Sequence, residues 1–173
     1  GAIVGARVPR KDGLEKVSGS EQFGSDFAPA DALWLRVVRS PYASARFVLG
    51  DFATLYSRNS GLTRVLTAKD IPGQNGFGIY PHIKDQPVLS DGRVRYRGEA
   101  ILALVGEKES VEAIPFDALP IKWQQEEPLL NLTESLAPDA PRIHADKPGN
   151  ILIHGCAQRG DDQAIIDKSG VTV

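Results

Sequence analysis

Cys156 and His154 come closest to a reactive pair in this chain, because residues two apart in a strand share a face and an imidazole beside a thiol can take its proton. No third group in the sequence would orient that imidazole, so the plainer reading of Cys156 is a small, apolar side chain. His82, His144 and His154 stand apart from one another, and with the single cysteine they make no zinc spacing. Gly73-Gln-Asn-Gly-Phe-Gly78 lacks the Gly-Lys-Ser/Thr ending of a phosphate loop and the spacing of a dinucleotide loop, and reads as a flexible connection. Neither a Gly-x-Ser-x-Gly elbow nor a His-Glu-x-x-His helix occurs. Arg93, Arg95 and Arg97 alternate with Val94 and Tyr96, which sets three guanidinium groups on one face of a strand, as an anion site would. Asn131-Leu-Thr133 matches a glycosylation acceptor but has no secretory segment to go with it. By residue chemistry alone no catalytic, cofactor-binding or metal-binding residue is assigned.

The elements that would position these groups centre on residues 84–106. Ala100 to Val105 is a run of six apolar residues, the signal of a strand covered on both faces, and Gly98-Glu99 separates it from the alternating Arg93 to Arg97 segment. Upstream, residues 1–19 read as an extended arm with a turn at Lys11-Asp12-Gly13. Leu33 to Val38 and Ala45 to Leu49 read as two strands forming a hairpin, or one strand bent at Ser40-Pro41. Asp51 is placed as the cap of a two-turn helix stopped by Gly61, and Leu62 to Thr67 returns as a strand before a single helical turn at Ala68 to Ile71. Residues 73–87 form a long polar loop of the kind that is functional or mobile. Pro115 splits or kinks a helix over Glu107 to Leu119, and Ile121 to Trp123 gives a last strand. Beyond it Pro128, Pro138, Pro141 and Pro148 argue for a wrapped, extended tail, with an edge pairing at Ile151 to His154 and a terminal Val-Thr-Val that looks like the start of a strand.

Composition narrows the class. The 173 residues are 42% hydrophobic, enough for a packed core. A net charge of -2 without a basic run argues against a nucleic-acid or anionic-membrane surface. One cysteine precludes an intrachain disulfide and fits a reducing, cytoplasmic location, and no signal peptide or apolar span is present. The absence of methionine is expected of a processed chain or an excised fragment.

The order of segments carries more than any single motif. Val8-Pro9-Arg10-Lys11-Asp12-Gly13-Leu14-Glu15-Lys16-Val17-Ser18-Gly19, then Arg39-Ser40-Pro41-Tyr42-Ala43-Ser44-Ala45, then Val65-Leu66-Thr67-Ala68-Lys69-Asp70-Ile71-Pro72-Gly73, then Val94-Arg95-Tyr96-Arg97-Gly98-Glu99 resembles the N-terminal part of the molybdenum-containing subunit of the xanthine dehydrogenase and aldehyde oxidase family. Asp146-Lys147-Pro148-Gly149-Asn150-Ile151 with Arg159-Gly160-Asp161 is similar to the connector into that family's cofactor domains.

The resemblance implies an α+β fold, the α/β-hammerhead, with a mixed sheet, two main helices and extended terminal arms. It divides the chain into an arm over 1–19, the hammerhead over 20–125 and a connector over 126–173. Its motif residues here are Arg39, Ser40, Pro41, Asp85, Gln86, Arg97, Gly98 and Glu99, all structural, and the resemblance turns Tyr96 to Glu99 from an anion site into a strand junction whose arginines, Arg93, Arg95 and Arg97, face solvent or the sister domains. Family members act on aldehydes, purines or aromatic heterocycles at a molybdenum centre held by molybdopterin, with iron-sulfur clusters and FAD on partner subunits or domains. Their pterin loops and catalytic glutamate lie downstream of anything in these 173 residues, so the fragment alone is expected to be inactive. Its expected partners are the downstream domains, the iron-sulfur and FAD subunits, and weakly a second copy of itself. Pro115 and Pro120 depart from the family's uninterrupted second helix. The Asp12 to Lys16 and Lys147 to Asn150 blocks look closest to the bacterial separate-subunit branch, which includes hydroxybenzoyl-CoA reductases and nicotinate or xanthine dehydrogenases, without choosing a substrate. The alternative is a free-standing binding module that presents residues 73–87 to a partner.

Overall fold

The computed structural model describes residues 3–157, 159–160 and 162–170. Its centre is β5 (Ala100–Gly106), the apolar run, whose Ile101, Leu102 and Leu104 are fully buried. A strand with no solvent face needs a neighbour on each edge, and β5 has antiparallel partners in β1 (Trp34–Arg39) and β3 (Leu62–Leu66), giving the order β1-β5-β3. A second sheet orders β4 (Arg93–Val94), β2 (Ala45–Leu49) and β6 (Ile121–Gln125) as β4-β2-β6. The mixed pairing implied by the resemblance is replaced by antiparallel pairing throughout the described strands.

The two sheets share one apolar interior. Val38 from β1, Phe47 from β2, Val65 from β3 and Val94 from β4 meet the β5 side chains, and each such buried side chain contributes about 1.5–3 kcal/mol of transfer free energy. Leu55 of α2 (Ala53–Arg58) and Val111 of α3 (Lys108–Ala113) are buried against that interior. Trp123 of β6 closes one end, edge-on to Tyr42 at 5.1 Å and tilted on Phe47 at 5.4 Å.

Several expectations change. β1 and β2 are not a hairpin: the chain leaves one sheet at Ser40 and enters the other at Ala45, so the bent-strand alternative holds. Arg93 to Arg97 is a strand only over Arg93–Val94, because a turn closed by the Glu99 N–H to Tyr96 O bond takes over. Pro115 splits the helix as the sequence reads: α3 ends at Ala113 and a single 3-10 turn, Phe116–Ala118, follows. Phe52, not Asp51, is the cap residue of α2, although Asp51 Oδ1 still accepts the Ala53 N–H at 3.0 Å. Asn59 ends that helix instead of Gly61.

The terminal segments hold more helix than expected. Gly13–Ser18 forms a helix, α1, within residues 1–19, Leu132–Ser135 and Pro148–Asn150 form single turns within residues 126–173, and Asp162–Asp167 is helical. Ile151 to His154 has no strand pairing, and the expected terminal strand at Val171-Thr-Val lies outside the described residues.

Candidate functional site

The two sheet-breaking motifs meet. Ser40 ends β1 as a buried residue whose Oγ donates to Tyr42 O at 2.9 Å and accepts the Tyr42 N–H at 3.0 Å, and this local ring turns the chain at exposed Pro41. Its backbone N–H donates to Glu99 O and its carbonyl accepts the Gly98 N–H, both at 2.9 Å. Arg39 Nη1 donates to Gly98 O at 2.9 Å. Gly98 stands at a φ of 94°, left-handed backbone that side-chain-bearing residues seldom adopt. Arg97, beside it, is exposed.

Glu99 is only 1% exposed and carries a carboxylate inward. Oε1 accepts from Ser90 Oγ and Oε2 from the Arg95 N–H, each at 2.5 Å, and the Arg95 guanidinium lies 3.8 Å away. A buried charge is tolerated when its lone pairs are met and a counter-charge is near, and both conditions hold.

Arg95 and Arg93 reach outward to the connector. Arg93 pairs with Glu126 at 3.1 Å and donates to Arg142 O and Ile143 O, while Arg95 Nε donates to Ile143 O at 3.2 Å. Asn150, at a φ of 55°, folds the connector onto itself: Oδ1 accepts the Ile143 N–H and Nδ2 donates to Ser135 O and Pro141 O. Two of the three arginines are thus engaged by carboxylates and carbonyls, which leaves the row unsuited to a free anion.

Residues 73–87 are an ordered finger. Asn75 Oδ1 accepts the Val88 and Leu89 N–H groups and Nδ2 donates to Leu89 O, and Phe77 and Gln86 exchange both backbone bonds at 2.8 and 3.1 Å. Gln86 therefore serves the finger's own pairing. Asp85 faces a cleft of about 380 Å³ between finger and connector, lined also by His82, Lys84, Arg95 and His144. Burial holds the His144 imidazole below its ordinary pKa; the Arg95 charge adds to that, and Asp85 and Asp146 oppose it. The cleft has polar walls but, among the described residues, no group of three or more His, Cys, Asp or Glu that could hold a metal ion. Cys156 and His154 are both exposed on a segment without strand pairing, so the shared-face geometry is not formed.

Residues 18–127 match the family description "Aldehyde oxidase and xanthine dehydrogenase, a/b hammerhead domain". The chain belongs to this family. Among curated relatives of this hammerhead, a probable xanthine dehydrogenase component of Bacillus subtilis is 36% identical over 88% of this chain and 20% of its own length. The nicotinate dehydrogenase large molybdopterin subunit of Eubacterium barkeri is 34% identical over 99% of this chain and 39% of its own length. Aldehyde oxidoreductase from Desulfovibrio gigas superposes with a TM-score of 0.71 at 24% identity, covering 81% of this chain and 16% of that one, and the enzyme from Desulfovibrio desulfuricans does so with 0.71 at 25%, covering 96% and 19%. This hammerhead chain spans about a fifth to two fifths of those two curated relatives.

The glycine-rich turn at residues 73–78 offers no open cradle for the phosphate of a pterin. The glycine-rich turn is filled from within: a Cβ on Gly76 would lie 2.9 Å from Lys84 O, and one on Gly78 would strike Ile83 O. The Gly76 and Phe77 N–H groups there donate to Gln74 O and Gln86 O.

Sequence reasoning reached Arg39, Ser40, Gly98 and Glu99, which the fold brings together. It missed Ser90, Asn75, Glu126, Asn150 and also Arg36, whose Nη1 donates to Ile114 O at 2.6 Å. Of these only Asn150 had a local signal, the Pro-Gly-Asn turn that precedes its left-handed backbone.

Proposed function

We propose that this chain is the head domain of a molybdenum-dependent oxidoreductase large subunit, and that its task there is packing and alignment, with the chemistry carried elsewhere in the protein. The observation that carries this reading is the convergence of Arg39-Ser40 and Gly98-Glu99 on one junction, in a chain whose residues 18–127 match the hammerhead family. The junction extends the β1–β5 pairing, Glu99 ties it to Ser90 and Arg95 on either side of β4, and Arg95 holds the connector at Ile143. The division is an arm over 1–19, the hammerhead over 20–125 and a connector over 126–173.

The whole protein, in this reading, holds molybdopterin outside these residues, passes electrons through iron-sulfur clusters to FAD on partner domains or subunits, and works in the cytoplasm. Its substrates fall among aldehydes, purines and aromatic heterocycles. No helix among the described residues is long and apolar enough to cross a membrane. Exposed Trp34, Leu35, Val48 and Leu130 support weak self-association of the domain when it stands by itself. Metal analysis of the whole gene product is the test: bound molybdenum is expected, and an active oxidoreductase purified without molybdenum overturns the reading.

The ordered finger favours a second reading, a binding module that acts by itself. A gene product with only a few residues beyond Val173 and no molybdenum would select it.

A further inference from the structure

The least explained feature of the surface is the tip of the finger. Ile79 is 91% exposed, and Phe77 and Tyr80 beside it are 53% and 39% exposed. Floppy loops commonly hold such residues without consequence, but this one is not floppy at its base. Asn75 makes three hydrogen bonds across it, Phe77 and Gln86 pair through both backbone bonds, and Ile83 N–H donates to Tyr80 O at 3.1 Å to close the tip. Gly76 and Gly78 let the two limbs approach more closely than any side chain would allow. The conformational entropy of the finger is therefore already spent in the free domain, which is what rigid recognition elements do to bind without a further ordering cost.

The tip is not sheltered by its own domain. The cleft at its base is walled by His82, Lys84, Asp85, Arg95 and His144, which offer charge where an isoleucine needs apolar surface. Its complement must come from outside the described residues. Relatives of this family continue for several times the length of this chain, since it covers 20% of one curated relative and 16% of one solved chain.

We propose that residues 75–88 are a preformed plug whose tip, Ile79 flanked by Phe77 and Tyr80, seats in an apolar pocket of the molybdopterin-carrying part of the same polypeptide and holds the hammerhead in register with it. This rests on the reading under Proposed function and names the contact that reading leaves open. The plug acts by position alone, and exchanges no proton or electron.

The test uses the whole gene product with the photoreactive residue p-benzoylphenylalanine in place of Ile79, and a control with the same residue in place of Thr54, which is exposed on α2 outside any apolar patch. Irradiation is expected to join position 79 to peptides beyond residue 173 of the same chain, several-fold above the control. In parallel, Ile79→Asp is expected to lower the melting temperature of the whole protein while leaving that of residues 1–173 unchanged, because the Ile79 side chain is bare within the domain. Crosslinks solely to a second copy or to a separate subunit, or none above the control, overturn the plug. A protein that holds molybdenum yet shows either of those patterns defeats the plug and leaves the proposed function standing, whereas a protein without molybdenum defeats that function first.

Discussion

The Ser90 hydroxyl donates to Glu99 Oε1 across 2.5 Å, and both residues are only 1% exposed. Ser90 precedes β4 and Glu99 precedes β5, so this bond ties together the two ends of the segment that crosses between the sheets. The same carboxylate accepts the Arg95 N–H, and the Arg95 side chain in turn holds the connector at Ile143. One buried acid thereby links sheet, turn and connector.

Glu99→Ala is expected to cost about 3 kcal/mol or more, because the Ser90 hydroxyl, the Arg95 amide and the Arg95 charge all lose their partner inside the protein. Glu99→Gln keeps the shape and one acceptor, and should cost about 1–2 kcal/mol. Urea denaturation midpoints measure both; equal losses would show that charge, not shape, matters at this position.

Arg36 supplies what Pro115 takes away. Its Nη1 donates to Ile114 O at 2.6 Å, Val111 O at 2.8 Å and Glu112 O at 3.2 Å, the carbonyls left open where α3 breaks. Arg36→Met should lower stability by about 2 kcal/mol, and Arg36→Lys should recover only part of it, since an ammonium lacks the planar fork. Thermal unfolding of the two variants checks the order.

Gly106 and Gly78 are both closed to a Cβ, but by different neighbours. At Gly106 it would strike Gly61 O, between the central strand β5 and β3. At Gly78 it would strike Ile83 O within the finger. Gly106→Ala is therefore expected to lower the global melting temperature, with a cost of about 1–3 kcal/mol or above for the forced shift. Gly78→Ala should leave the core transition in place and speed proteolysis between residues 77 and 86, read by limited digestion and mass spectrometry.

His144 predicts a pH dependence of definite sign. Its imidazole is held below the ordinary value of 6.5 chiefly by burial, so the unfolded chain takes up the proton at a higher pH than the folded one. The stability contribution is fully present above pH 6.5 and is lost as pH falls from there through the depressed folded value. His144→Asn should flatten the stability profile over that window while leaving the values above about pH 7 nearly unchanged. Chemical denaturation at a series of pH values checks it; a profile identical to the parent's assigns the pH response to other groups.

Parts of the fold with local signals are legible in the chain alone. Six apolar residues bounded by Gly98 and Gly106 suit a strand covered on both faces better than a helix, for which they are too few, and β5 is that strand. Pro115 had to break its helix, and Ser40-Pro41 had to end a strand. The ordered motif blocks likewise carried the family. Packing in three dimensions chose which strands pair, because β1 and β2 look alike in sequence yet enter different sheets, and partner choice depends on residues some sixty to eighty positions away. It also set the roles of the charged groups. Arg93 and Arg95 read as strand residues facing solvent or further domains until Glu126, Glu99 and the carbonyls of 142 and 143 are brought beside them. Arg36 reads as an ordinary strand residue until the broken end of α3 settles over it. Hydrogen bonds between distant residues leave no trace in local periodicity, and for that reason the fold could be read from the chain while the partners of its buried charge and of its arginines could not.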